Sequence, residues 1–239
     1  MQLLIHGDSK EYLKKIKSGS IDLILTDPPY SISRSSGFSV GGIKKYKSST
    51  NYFGEWDVDI DLSFYFKEFK RILKKGGTLI IFYDIWKSDL IKKISEENKF
   101  KQLRVCHWIK SNPVPINSKR NYLSNSTEYF FTMVKGKNPT FNSKYDIGYY
   151  EYPICHGKER TDHPTQKPIN LILELIKKHS NSGDLILDPF AGSFTTMEAC
   201  LISSRKSICI ESDEKYYQIG EERFKNLTTK NDIQNTLEG

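Results

Sequence analysis

Two short aliphatic runs in this 239-residue chain each end in the dipeptide Asp-Pro, and this feature constrains the fold most. The runs lie in segments 21–30 and 184–193. Proline has no N–H for a β-ladder, so each run is predicted to be a strand that stops at its carboxylate, Asp27 or Asp188. Ligands of open α/β sheets bind outside the carboxyl ends of the strands. Two such ends side by side would place both carboxylates over one crevice.

Strand-like runs alternate with helical patterns along most of the chain. Strands are predicted at 21–26, 77–83, 103–109, 128–134, 184–188 and 206–211. Helices are predicted at about 8–17, 62–75, 86–98, 168–181, 194–204 and 213–226, with a helix C-cap at Gly76-Gly77. This alternation predicts an α/β fold with a doubly wound, mostly parallel sheet.

The length predicts a single domain over residues 1–239 with irregular insertions. Residues 31–61 show little periodicity and are predicted to form a mobile loop, and the region within about 111–160 is also irregular. Together they are expected to form a recognition surface. The residues from about Thr228 are polar and are expected to be a frayed tail.

Composition excludes several classes of protein. No apolar run approaches the roughly 20 residues that cross a bilayer, and the N-terminus does not resemble a signal peptide. The four cysteines lack CxxC spacing, which argues against a zinc site or a disulfide framework, so no metal is expected. A reducing cytoplasm is the expected location.

The net charge of +7 favours a polyanionic partner. The positions of the charged residues along the chain are more informative than the total charge. Two stretches, 31–54 and 98–127, contain no acidic residue. Their basic residues are expected to contact phosphates, and the candidates are Arg34, Lys44, Lys45, Lys47, Lys110, Lys119 and Arg120. The alternative is a solvated basic face.

The second strand end is typical of a nucleoside site. A turn containing Gly192 feeds a predicted helix, and the next strand ends in Glu211, 23 positions after Asp188. Dinucleotide folds place a ribose-binding acid at about this spacing. Because the GxGxxG pattern is missing, a ribose without a pyrophosphate fits better. An ordinary α/β turn is the alternative.

The first strand end suits a planar amino group. Prolines restrict the backbone after Asp27, so its carboxylate and the Pro28 carbonyl can accept two N–H bonds while Tyr30 stacks on a ring. Accepting both hydrogens localises the nitrogen lone pair and makes the nitrogen a nucleophile. A Pro-Pro turn after a buried strand is the alternative.

Several ordered segments together resemble the amino-group DNA methyltransferases of the permuted β group, which depend on S-adenosylmethionine. In that family the catalytic DPPY segment precedes the cofactor segment, as 27–30 precedes 188–193 here. The stretch 163–168, HPTQKP, and the stretch 210–216 also resemble family segments. The resemblance implies a Rossmann-like class I methyltransferase fold, S-adenosylmethionine as cofactor and double-stranded DNA as partner.

The resemblance also implies residue roles. The flipped base would be held by the catalytic segment Asp27, Pro28, Pro29 and Tyr30. The cofactor would be bound by Asp8, Lys167, Asp188, Pro189, Phe190, Gly192 and Glu211. Asp8 would lie near the adenine and Lys167 near the cofactor carboxylate; a plain turn and a solvated helix-start charge are their respective alternatives. His163 is expected to be a structural turn residue.

One position departs from the family pattern. The family usually has Gly where this chain has Phe194. A side chain there is expected either to crowd the cofactor or to require unusual backbone angles.

The resemblance implies base flipping followed by direct methyl transfer. Asp rather than Ser at the head of the catalytic segment favours adenine N6 over cytosine N4. More distant alternatives are an RNA methyltransferase, which the order of segments disfavours, and a non-catalytic DNA-binding subunit.

Contacts from 31–56 and 111–160 would read a short site of about four to six base pairs. A cognate restriction endonuclease and a homodimer are implied only by family habit.

Overall fold

The computed structural model describes residues 1–29, 60–114, 123, 125–163 and 165–238. Tyr30, nearly all of the segment at 31–61 and part of the region at 111–160 lie outside these ranges. The expectations for these residues are therefore carried forward as predictions.

The described residues form one sheet of eight strands. These are Gln2–His6 (β1), Ile21–Thr26 (β2), Leu73–Phe82 (β3), Lys101–Lys110 (β4), Thr127–Val134 (β5), Tyr149–Tyr152 (β6), Leu185–Asp188 (β7) and Lys206–Glu211 (β8). The strand order is β1-β8-β7-β2-β3-β5-β4-β6. β5 runs antiparallel to both of its neighbours, whereas the other pairs are parallel. The predicted mostly parallel α/β sheet is confirmed.

The α-helices of the described residues cover both faces of the sheet. They are Ser9–Lys15 (α1), Leu62–Ile72 (α2), Ser88–Glu97 (α3), Ile169–His179 (α4), Thr195–Ile202 (α5) and Glu214–Glu238 (α6). On one face Ile24 of β2 shares a core with α2, and on the other Leu23 and Leu25 share a core with α4. Because neighbouring strand residues point to opposite faces, one continuous aliphatic strand supplies both cores.

Helix α2 buries one stripe of its surface. α2 buries positions spaced three or four apart, which are Leu62, Tyr65, Phe66, Phe69 and Ile72. Within the described residues, no helix is both long enough and apolar enough to cross a membrane.

The predicted boundary between α2 and β3 was wrong. α2 ends at Ile72 rather than 75, and β3 begins at Leu73 rather than 77. Gly76, at φ +84°, lies within β3 and is not a helix C-cap. β2 pairs Ile21 with Leu73 but Leu23 with Thr78, so the glycine segment forms a bulge. A Cβ on Gly77 would lie 2.9 Å from the carbonyl oxygen of Asp22, which explains the glycine there.

Three other elements differ from the prediction. β1 and β6 were missed because each is short and lies at an edge of the sheet. α6 continues to Glu238, so the segment from Thr228, expected to be a frayed tail, is assigned to a helix. No Pro or Gly interrupts the sequence between 221 and 238, so nothing local ends the helix earlier.

Candidate active site

The two Asp-Pro strand ends are neighbours, as the sequence predicts. β7 lies beside β2, with Leu23 opposite Ile186 and Ile24 opposite Leu187. Asp27 and Asp188 both line a cavity of about 490 Å³ at the carboxyl ends of these strands. α2, which follows β2, and α5, which follows β7, pack in the cores on opposite faces. The cavity therefore lies at the topological switch point, where open α/β sheets bind ligands.

The two carboxylate oxygens of Asp27, which lines this cavity, have different surroundings. Its Oδ2 accepts a charge-assisted hydrogen bond from Lys167 Nζ. Its Oδ1 is buried and has no hydrogen-bond partner among the residues that the structure describes. Burial raises the pKa of Asp27, Lys167 opposes that rise and Glu128 adds to it. Oδ1 is thus a buried acceptor left without a donor among the described residues.

Lys167 is buried between two carboxylates. Its side chain is 7% exposed and lies against Asp27 on one side and Glu128 on the other, 3.3 Å from Glu128 Oε2. Its Nζ is 5.1 Å from the centroid of the Phe82 ring. The alternative of a solvated helix-start charge was therefore wrong.

Glu128 pairs with Lys167 although it does not line the cavity itself, and sequence reasoning missed it. It is the second residue of β5, and its other oxygen, Oε1, lies 2.8 Å from Lys110 Nζ. Lys110 and Lys167 both lower the pKa of Glu128, which outweighs the effect of burial. A single charged residue in an otherwise uncharged strand was the local signal in the sequence.

Asp188 is buried and bonded within its own turn. Its two oxygens accept from the Phe190 N–H at 3.2 Å and from the Thr196 hydroxyl at 2.6 Å. Burial raises the pKa of Asp188 to about 7, despite both donors. This carboxyl therefore titrates near neutral pH.

Glu211 ends β8 at the same edge of the sheet. It accepts from the backbone N–H of Gly192 at 2.7 Å and from that of Asp213 at 2.8 Å. Burial raises the pKa of Glu211, while these backbone donors lower it. Glu211 lines the cavity and keeps oxygen lone pairs for hydroxyl donors, so it suits a ribose.

The turn after β7 places Pro189, Phe190 and Gly192 on the cavity wall. Gly192 has φ +50°, and a Cβ there would lie 2.8 Å from His163 Nε2, so glycine is required. Phe194 has φ +60° in the left-handed region and caps α5. Its buried ring packs against Gly220 and Tyr217, and it does not line the cavity. Of the two expectations for Phe194, the unusual backbone angle is confirmed and crowding of the cavity is not.

Asp8 and His163 also lie at the cavity. Asp8 lines it and also caps α1, accepting from the Lys10 N–H at 2.8 Å. The His163 ring lies 4.4 Å from that of Tyr216, and burial lowers the pKa of His163 to about 4. A neutral imidazole packed in a turn agrees with the structural role expected from the sequence.

Of the predicted phosphate contacts, the structure describes only Lys110. It lies 5.4 Å from the centroid of the Trp108 ring and is paired with Glu128. The candidates outside the described residues are Arg34, Lys44, Lys45, Lys47, Lys119 and Arg120.

Comparison with known proteins identifies the family of this chain. A family model of N6 and N4 methyltransferases, described as DNA methylase, matches residues 21–222. The type II methyltransferase M.HinfI of Haemophilus influenzae is 31% identical over 98% of this chain and 71% of its own length. The DNA adenine methyltransferase YhdJ of Escherichia coli (strain K12) is 32% identical over 92% of this chain and 82% of its own.

Solved structures show the same fold. The M1.HpyAVI–SAM complex matches with a TM-score of 0.73 at 30% identity, over 94% of this chain and 99% of that chain. The cytosine-N4-specific PvuII DNA methyltransferase matches with a TM-score of 0.74 at 19% identity, over 93% and 86% of the two chains. The latter identity is low enough that the likeness concerns the fold alone. The chain therefore belongs to the N6/N4 family of S-adenosylmethionine-dependent DNA methyltransferases, as its motifs predict.

Proposed function

We propose that this DNA methyltransferase modifies the exocyclic N6 amino group of adenine, flipped out of a short duplex site. The observation that carries the proposal is the Asp27 carboxylate, which lines the cavity next to Pro28 and whose Oδ1 has no hydrogen-bond partner among the described residues. An adenine amino group has two N–H donors. Asp27 and the Pro28 carbonyl are the acceptors that we assign to them.

Accepting both hydrogens makes the amino nitrogen a better nucleophile, because its lone pair is then no longer shared with the ring. The acceptors are set before the base arrives, so they stabilise the positive charge that develops on nitrogen without reorganising. Tyr30, outside the described residues, is expected to stack on the base. Extrusion of the base costs a few kcal/mol, which binding in this pocket must offset.

The residues around the cavity fit S-adenosylmethionine. When bound, it supplies a methyl group made electrophilic by the sulfonium. We assign the ribose to Glu211, whose carboxylate faces the cavity at the end of β8, and the remainder to the turn with Asp188, Phe190 and Gly192. The proposal places Asp8, at the start of α1, near the adenine moiety.

Adenine is favoured over cytosine by Asp27 at the head of the catalytic segment. YhdJ, a relative with 32% identity, is described as a DNA adenine methyltransferase. The type II methyltransferases among the relatives support a cognate restriction endonuclease as a further partner. A homodimer stays a prediction.

Mass spectrometry of nucleosides tests this function directly. Unmethylated DNA incubated with the protein and S-adenosylmethionine should yield N6-methyladenine. The Asp27→Ala variant should yield none while its cofactor affinity, measured by calorimetry, is unchanged. N4-methylcytosine would overturn the choice of base, and methylation by Asp27→Ala would overturn the role of Asp27.

A further inference from the structure

Four charged residues form a continuous row along one edge of the sheet. In order they are Lys110, Glu128, Lys167 and Asp27, and we call them the ion-pair row. Consecutive members are in contact: Lys110 with Glu128 at 2.8 Å, Glu128 with Lys167 at 3.3 Å, and Lys167 with Asp27 directly.

The sheet topology brings this row together. β5 runs antiparallel to β3 and to β4, so its start lies at the same edge as the ends of those two strands. Glu128 at the start of β5 therefore meets Lys110 at the end of β4. Lys167 crosses the end of β3 over the Phe82 ring to reach Asp27, which follows β2.

The row is balanced in charge and partly closed to water. Two lysines face two carboxylates, and the exposed fractions of the side chains run from 7% for Lys167 to 27% for Glu128. Removing one partner of a buried pair leaves an uncompensated charge, which is costly. Each member therefore depends on its neighbours for both position and ionisation.

We propose that Lys167 and Glu128 are positioning residues, which hold the Asp27 carboxylate ionised and in place at the cavity for the reacting amino group. Lys167 donates to Oδ2 of this carboxylate and thereby fixes its orientation. Glu128 holds Lys167 from the opposite side. This inference rests on the proposed role of Asp27, and it gives Lys167 a partner other than the cofactor carboxylate implied by family resemblance.

Three charged groups act on Asp27 directly. Lys167 favours the ionised carboxylate, whereas Glu128 disfavours it. Asp188, at the end of the neighbouring strand, also interacts with Asp27 through its charge. Replacing Lys167 gives the row one net negative charge, and replacing Glu128 gives it one net positive charge. The two variants must therefore move the pKa of Asp27 in opposite directions.

The experiment titrates Asp27 itself. Protein labelled with carbon-13 at the Asp carboxyls is followed by NMR against pH, and Asp27→Asn identifies the signal. Lys167→Met should shift the Asp27 titration to higher pH, and Glu128→Gln should shift it to lower pH. Lys167→Arg keeps the charge and should restore most of the wild-type titration. The acid limb of kcat should move in the same directions.

Lys178 offers a matched control. It also lies between two carboxylates, those of Asp146 and Glu174, but it does not line the cavity. Lys178→Met should lower the unfolding temperature and leave the Asp27 titration where it is in the wild type.

Shifts in the same direction for Lys167→Met and Glu128→Gln, or no shift in either, would overturn the proposal. So would a Lys167→Met variant that loses only cofactor affinity, since Lys167 would then serve the cofactor alone. If the wild type methylates no base while the NMR shifts have opposite signs, the proposed function fails and the ion-pair row stands.

Discussion

At the scale of single residues, Asp188 is a carboxylic acid whose burial outweighs its hydrogen bonds. Only 5% of the residue is exposed, and its pKa rises from an ordinary 3.8 to about 7. The folded protein therefore binds a proton at Asp188 more tightly than the unfolded chain does. This contribution to stability is complete below about pH 4 and is lost as pH rises through 7.

Asp188→Asn should remove the loss of stability that the wild type suffers as pH rises through 7. The Thr196 hydroxyl can reverse its role and accept from the new amide, so the turn can keep its bonds. We expect the variant to be more stable than the wild type at pH 8, by up to about 4 kcal/mol, with the difference shrinking towards pH 4. Unfolding in urea across this pH range measures it. A difference that is constant with pH would show that the titration of Asp188 is not its cause.

Sequence reasoning succeeded for residues whose position follows from local pattern. Asp188 and Glu211 each end a strand, and Asp27 directly follows one. Strands that end at a Pro or a turn can be recognised from the sequence alone. The pairing of Lys167 with Asp27 spans 140 positions, and nothing local encodes it. Glu128 escaped prediction for the same reason.

At the scale of elements, the start of α5 packs against α6 where the Phe194 ring meets Gly220. A Cβ on Gly220 would lie 2.1 Å from Cδ2 of Phe194, so the helix needs glycine where the ring packs. Arg223 of α6 donates to the Ser193 carbonyl at 2.9 Å and pairs with Glu198 of α5. The large residue in the turn is thus accommodated by the helix behind it and not by the cavity.

Gly220→Ala should destabilise the protein by about 1–3 kcal/mol, since the added methyl overlaps the ring. In a Phe194→Gly background the same change should cost little or even stabilise, because Ala favours helix over Gly. A double-mutant cycle from urea unfolding measures this coupling. Equal costs of Gly220→Ala in both backgrounds would contradict the matched pair. Cofactor affinity should not improve on Phe194→Gly.

Element boundaries were harder to predict where tertiary contacts override local signals. Gly76-Gly77 resembles a helix end, yet it is a bulge shaped by the backbone of β2 and the turn after β5. Gly76 N–H donates to the Lys135 carbonyl at 2.8 Å, a partner that no local pattern shows. β6 was missed because its four residues pair only with β4.

At the scale of the whole molecule, the fold class was predictable because alternating periods of helix and strand persist along the chain. The order of the strands in the sheet was not predictable, because it depends on which strands the crossover connections bring together. The position of the cavity nevertheless followed from a general rule about the carboxyl ends of parallel strands, so it did not require the full order.

The net charge of +7 bears on how the whole protein meets DNA. Each phosphate that a basic residue neutralises contributes about −0.9 to the slope of log K against log salt. Replacing Arg34, Lys44, Lys45 and Lys47 by Ser should reduce the magnitude of that slope by about 3–4 if all four contact phosphates. Fluorescence anisotropy with duplex DNA at several salt concentrations measures the slope.

A control removes the same charge elsewhere. Lys14, Lys17, Lys92 and Lys93 are exposed, lie in or next to α1 and α3, and do not line the cavity. Replacing these four lysines by Ser lowers the net charge by the same amount as the replacement of Arg34, Lys44, Lys45 and Lys47. Any general attraction between the protein's total charge and DNA therefore falls by a similar amount in both variants. We expect the slope to stay close to the wild-type value in this control. Equal losses in both variants would assign DNA affinity to the overall charge, and the segment at 31–54 would then have no special role.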